Sequence, residues 1–143
     1  MKVGKEMAYF VGIVLGTAIC GLAMMVGFDR DRAFYPTLTI VIASYYGLFA
    51  IMGGSTRALL QESIAITAFL LIAIVGFKRN LWLIVVALAA HGMFDFIHGN
   101  VIADPGVPAW WPAFCLSYDV VTAAFLGVLL LSPKIAASPS VRR

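Results

Sequence analysis

The sequence predicts an all-α integral membrane protein, a single bundle of five transmembrane helices. Two observations carry this. Hydrophobic residues make up 62% of the chain and charged residues 12%, against about 25% charged residues in a soluble domain. Such a chain cannot cover itself with a hydrated surface. The charges also fall between long apolar runs, and each run is close to the ~20 residues that a helix needs to cross a bilayer.

The first span is expected at about residues 7–28, before the charged turn Asp29-Arg30-Asp31-Arg32. It is too long for a signal-peptide core and has no Ala-x-Ala site, so no processing is expected. The second runs over about 35–53, with Pro36 in its first turn. Gly53-Gly54-Ser55-Thr56 breaks the chain, and the third covers about 57–77 and stops at Lys78-Arg79. Asn80 is placed to cap the fourth, about 80–99. A loop with Pro105, Gly106 and Pro108 leads to the fifth, about 111–131. Residues 1–132 thus form one transmembrane domain, and 133–143 are expected to be a disordered tail.

The formal net charge of +3 does not point to nucleic acid, because the Lys and Arg residues sit at helix ends, where they anchor and orient a membrane protein. Placing the N-terminus outside puts Arg30, Arg32, Lys78, Arg79, Lys134, Arg142 and Arg143 on the cytoplasmic side, whereas the reverse leaves Lys2, Lys5 and Arg57 there. The bias favours N-out, C-in. Trp110 and Trp111 fit an interfacial belt. Tyr45 and Tyr46 lie deeper, beside Ser44 and Gly47. A buried hydroxyl needs a partner, so one of them is a candidate to reach a polar group, while Ser44 and Gly47 offer close helix packing.

The chemistry concentrates at the end of the fourth segment, His91-Gly-Met-Phe-Asp95-Phe-Ile-His98. Spacings of i, i+4 and i+7 put the three ionisable side chains within an arc of roughly 60°. Glu62 lies about one and a half turns into the third helix, and Asp119 about two turns into the fifth, with Cys115 and Thr122 on its face. Alternating topology then gathers Glu62, His91, Asp95, His98 and Asp119 into one half of the membrane. Ionisable side chains are costly there and normally face the bundle interior.

Two imidazoles and up to three carboxylates suit a divalent metal ion such as Zn²⁺, Fe²⁺ or Mn²⁺. His91, Asp95 and His98 are the expected metal ligands, with Glu62 and Asp119 as catalytic groups, either further ligands or a general base. Plainer roles exist for each. His98 suits a solvated helix end, Glu62 an ion pair with Arg57, Asp119 a bond to backbone, and His91 with Asp95 a packing pair. Cys20 and Cys115 read as buried thiols, although a thiol beside Asp119 would face the site.

The pattern Glu62, His91-x-x-x-Asp95-x-x-His98 and Cys115-x-x-x-Asp119 resembles that of small uncharacterised bacterial integral membrane proteins, over roughly the C-terminal two-thirds of the chain. The resemblance implies a bacterial inner membrane and carries no activity with it. Position 99 holds Gly99 where some of those sequences have a further histidine. His91-x-x-x-Asp95 is also similar to the His-x-x-x-Glu pair of emopamil-binding sterol isomerases, whose proton shuttle uses no metal. Ceramidase-like hydrolases need three histidines, and this chain has two.

The resulting expectation is a membrane-embedded, metal-dependent enzyme acting on a lipid or isoprenoid-like substrate that enters sideways past Met93, Phe94, Phe96 and Phe114. Membrane lipids are the expected surroundings, and no nucleic-acid partner is expected. The alternatives are a metal-free isomerase, a proton or cation transporter, which with five helices would need a homo-oligomer, and an accessory subunit of a membrane complex.

Overall fold

The computed structural model describes residues 2–132, so the expected tail at 133–143 and the anchoring residues Lys134, Arg142 and Arg143 lie outside the described residues. The five expected spans are all helices long and apolar enough to cross a membrane, the architecture of a multi-pass membrane protein. They are α1 (Lys2–Val26), α2 (Phe34–Met52), α3 (Thr56–Lys78), α4 (Trp82–Val101) and α5 (Trp111–Leu131).

The expected spans hold to within two residues except at the start of α1, which begins five residues earlier than the hydropathy alone suggests. Its other end is set by Gly27, whose φ of 88° leaves the right-handed helix and leads into a short 3₁₀ turn, Phe28–Arg30. Ser55 caps α3 by accepting the Ala58 N–H at 3.1 Å, and Asn80 Oδ1 accepts the Trp82 N–H at 2.9 Å at the start of α4. Asn100, expected in the loop, continues α4 instead, and Asp104 makes the turn by accepting the Gly106 N–H at 2.9 Å. Arg32, from the α1–α2 turn, donates to the carbonyls of Gly76 and Phe77 at the end of α3. A cation there complements the carbonyl end of the helix dipole and places that turn beside the α3–α4 connection.

Large apolar side chains such as Phe10, Leu22, Ile64, Val86, Phe96 and Val128 face outward around the bundle. In water this surface would be an aggregation hazard, whereas in a bilayer it meets lipid. The inner order follows from which helices touch. α5 is central, packed on α1 and on α4, α3 joins α4 to α2, and α1 and α2 barely meet.

Small residues decide how close the helices come. Gly12 and Gly16 form a Gly-x-x-x-Gly face on α1, and a Cβ at Gly12 would overlap Ser117 Oγ and the Phe114 carbonyl of α5. Gly47 brings α2 against Ile66 of α3, which is the packing role open to it from the sequence. Gly92 brings α4 against α5, where an added Cβ would lie 3.2 Å from Leu116 Cδ1 and 3.4 Å from Asp119 Cβ. This last contact positions the polar cluster.

Candidate metal centre

α4 buries Ile84, Ala87, Leu88, His91, Gly92, Asp95 and His98, a single helical face with apolar residues at one end and ionisable residues at the other. α5 presents Cys115, Asp119 and Thr122 to it, again at helical spacing. All five residues singled out in the sequence, Glu62, His91, Asp95, His98 and Asp119, are at most 2% exposed. The plainer readings in which His98 is solvated or Glu62 sits at the interface do not describe these positions. They are divided, however, between two neighbouring groups.

The first group spans α4 and α5. His91 Nδ1 lies 2.7 Å from Asp119 Oδ2 and 3.3 Å from Asp95 Oδ2. One ring nitrogen carries at most one proton, and the shorter, aligned partner is Asp119. Asp95 Oδ2 therefore has no hydrogen bond, although it is near the imidazole, and Asp119 Oδ1 has none either. Cys115 Sγ stands 3.9 Å from Asp119 Oδ2. One donor atom from each of His91, Asp95, Cys115 and Asp119 falls within 4.8 Å of the others, and all four residues are buried. This group could hold a metal ion.

The electrostatics point the same way. Two buried carboxylates share one imidazole, so negative charge is left over even when the imidazole is protonated. Uncompensated buried charge costs several kcal/mol. A divalent cation among the four donors removes the excess and gives the two orphaned oxygens a partner.

Tyr46 of α2 is the tyrosine that reaches the cluster. Its hydroxyl donates to Asp95 Oδ1 at 2.5 Å and leaves Oδ2 facing His91. Phe69 of α3 closes the site from the side, edge-on to the His91 ring at 4.8 Å between centroids.

The second group is Glu62 of α3 and His98 of α4, with Oε1 2.5 Å from Nε2. Its link to the first group is again Tyr46, whose ring stacks on His98 with centroids 4.1 Å apart and planes 24° apart. Phe94 packs edge-on against the same imidazole.

The site thus differs in detail from the sequence expectation. Cys115 joins His91 and Asp95, Asp119 stands among the possible ligands, and His98 pairs with Glu62. The i, i+4, i+7 stripe gives the direction of the three α4 side chains but not their depth. His91 and His98 are about 10 Å apart along the helix axis, too far to share one ion. The signal for Cys115 was its i, i+4 spacing to Asp119 on a buried face. Of the aromatic wall expected around a substrate, Met93 and Phe96 face outward, Phe94 packs inside on the histidines, and Phe114 lines a groove between α1, α2 and α5. No family model, curated protein or solved structure matches this chain, so the site rests on its own geometry.

Proposed function

We propose that this chain is a membrane-embedded metalloenzyme acting on a lipid or isoprenoid-like substrate, with His91, Asp95, Cys115 and Asp119 holding one divalent metal ion. The observation that carries the reading is the convergence of four buried donors from two helices within 4.8 Å, with two carboxylate oxygens left without a hydrogen bond. Nitrogen, thiolate and carboxylate together suit Zn²⁺ or Fe²⁺, and the thiolate makes Mn²⁺ the weaker fit. Such an ion supplies Lewis acidity toward a substrate oxygen or a water.

The protein side chains divide the remaining work. Tyr46 fixes the rotamer of Asp95 through its hydroxyl and that of His98 through its ring. Glu62 and His98 form a hydrogen-bonded pair that holds a proton next to the centre and gives or takes it at the substrate. The apolar packing of Phe69 and Phe94 excludes water from the imidazoles and strengthens every charge interaction between them. With the N-terminus outside, as the Lys/Arg bias favours, the centre lies in the outer half of a bacterial inner membrane.

The direct His91–Asp119 hydrogen bond favours a second reading, a metal-free isomerase in which that pair moves protons. Metal content separates the two. Purified protein is expected to carry about one ion per chain, lost in His91→Ala and Asp95→Ala and kept in His98→Ala. A folded protein without stoichiometric metal after supplementation would overturn the metalloenzyme and leave the proton shuttle.

A further inference from the structure

The centre is closed on the sides of α3 and α4, and the open side lies elsewhere. Because α1 and α2 barely meet, a groove remains between them with α5 as its floor. It has a volume of about 360 Å³ and is walled by Leu15 and Ile19 of α1 and Leu38 and Ile42 of α2. Cys115 lies in its floor, so the same thiol that faces Asp119 also borders the groove. A second cavity of about 330 Å³ runs beside the first turns of α1, from Gly4 to Val11, and shares Trp111 and Phe114 with the groove. From Gly4 to Ile19 the two follow α1 for about 22 Å. The space is long, narrow and apolar, the shape of an extended hydrocarbon chain and not of a compact polar molecule.

One polar feature marks its middle. The Trp111 indole N–H is buried and has no acceptor, while its ring is held between Tyr45 and Phe49 of α2 at 5.1 and 4.8 Å. A buried donor without a partner costs about 1–3 kcal/mol, and a ligand carrying an acceptor oxygen relieves it. Trp111 and Cys115 are four residues apart on α5, so the acceptor at the indole and the edge of the metal centre are one turn apart.

We propose that this groove binds a single-chain or prenyl-chain lipid whose ester, carbonyl or alcohol oxygen accepts from Trp111 Nε1 and whose hydrocarbon chain runs between α1 and α2, presenting the oxygen-bearing carbon beside Cys115. The proposal rests on the metalloenzyme reading for the purpose of the site but not for the binding itself. The lipid enters from the bilayer through the gap between α1 and α2, without passing through water.

The test is photolabelling of the full chain in vesicles with a long-chain acyl ester bearing a diazirine in its chain, with metal content measured on the same samples. Labelling is expected at Leu15, Ile19, Leu38 and Ile42 and should be competed by unlabelled ester. Ile19→Trp and the milder Leu38→Phe should each lower it by about tenfold while metal content stays at the wild-type level. Trp111→Phe should weaken competition by the ester by about threefold to tenfold and leave competition by the corresponding alkane unchanged. Labelling spread evenly over lipid-facing residues such as Leu22, Ile64 and Val86, and indifferent to Ile19→Trp and Leu38→Phe, would mean surrounding lipid only and overturn the groove. Saturable groove labelling in a protein that holds no metal would keep the groove and remove the metalloenzyme. Bound metal with unsaturable labelling would do the reverse.

Discussion

Tyr46 and Asp95 are joined across the contact of α2 with α4 by a hydrogen bond of 2.5 Å from the tyrosine hydroxyl to Oδ1. The bond determines which carboxylate oxygen is left for a metal, because it occupies Oδ1 and turns Oδ2 toward His91 and Asp119. Partners of this kind tune a ligand without touching the ion, and their loss typically lowers metal affinity about 10–100-fold. Tyr46→Phe keeps the ring stacked on His98 and removes only the hydroxyl. We expect that loss of affinity, read by chelator competition, in a protein whose thermal stability falls by no more than about 1–3 kcal/mol. Unchanged affinity would show that Asp95 is oriented by α4 alone.

Gly92 sits on the same helix between His91 and Asp95, and its missing side chain sets the spacing of α4 from α5. An alanine there would press on Leu116 Cδ1 at 3.2 Å, the end of a side chain that can turn aside. A leucine would push the helices apart, and overpacking of that kind costs about 1–3 kcal/mol. Gly92→Ala is therefore expected to retain metal, and Gly92→Leu to lose it with all four ligands still present. Helical content by circular dichroism should be the same in both. Metal retained in the leucine variant would mean that the α4–α5 distance is not what assembles the site.

The spans were legible because the bilayer imposes a length and a composition that any ordered helix packing must satisfy. The polar face of α4 was legible for the same reason, since His91, Asp95 and His98 have no low-cost place except the interior. What periodicity does not carry is depth and rotation relative to neighbours. The sequence places Cys115 on the face of Asp119, yet a buried cysteine is ordinary. Only the approach of α4 at Gly92 puts its sulfur within reach of His91 and Asp95. The role of Tyr46 was half visible, because a buried hydroxyl needs a partner, but choosing between Tyr45 and Tyr46 requires the rotation of α2. In the structure Tyr46 is 1% exposed and Tyr45 is 38% exposed, turned toward Trp111.

Glu62 and His98 separate metal binding from proton transfer. If they form the acid–base pair, Glu62→Gln and His98→Ala should leave metal content near wild type and depress turnover by about 10²–10⁴-fold, the usual contribution of a general acid or base. If His98 were a ligand, as its place in the α4 stripe suggests, His98→Ala would instead lose the ion. Removing one partner of a buried charged pair can cost about 3–5 kcal/mol. Glu62→Gln, which preserves shape and one hydrogen bond, is thus the variant to trust if the alanine protein is unstable.

Cys115 offers the most direct chemical readout, because one atom is assigned both to the centre and to the groove. A thiol must lose its proton to bind a metal, as must an imidazolium, so protons and metal compete for Cys115 and His91. Metal retention should accordingly fall as the pH is lowered. In a Cys20→Ala background, an apolar maleimide reaching the thiol through the groove should alkylate Cys115 in chelator-treated protein. The same reagent should be slowed by at least about tenfold once Zn²⁺ is restored, because the coordinated sulfur is no longer a free nucleophile. Ile19→Trp should slow alkylation of the metal-free protein by blocking the approach, and leave protection by Zn²⁺ intact. Equal alkylation with and without Zn²⁺ would remove Cys115 from the ligand set, leaving His91, Asp95 and Asp119 as a three-ligand centre with the thiol as part of its wall.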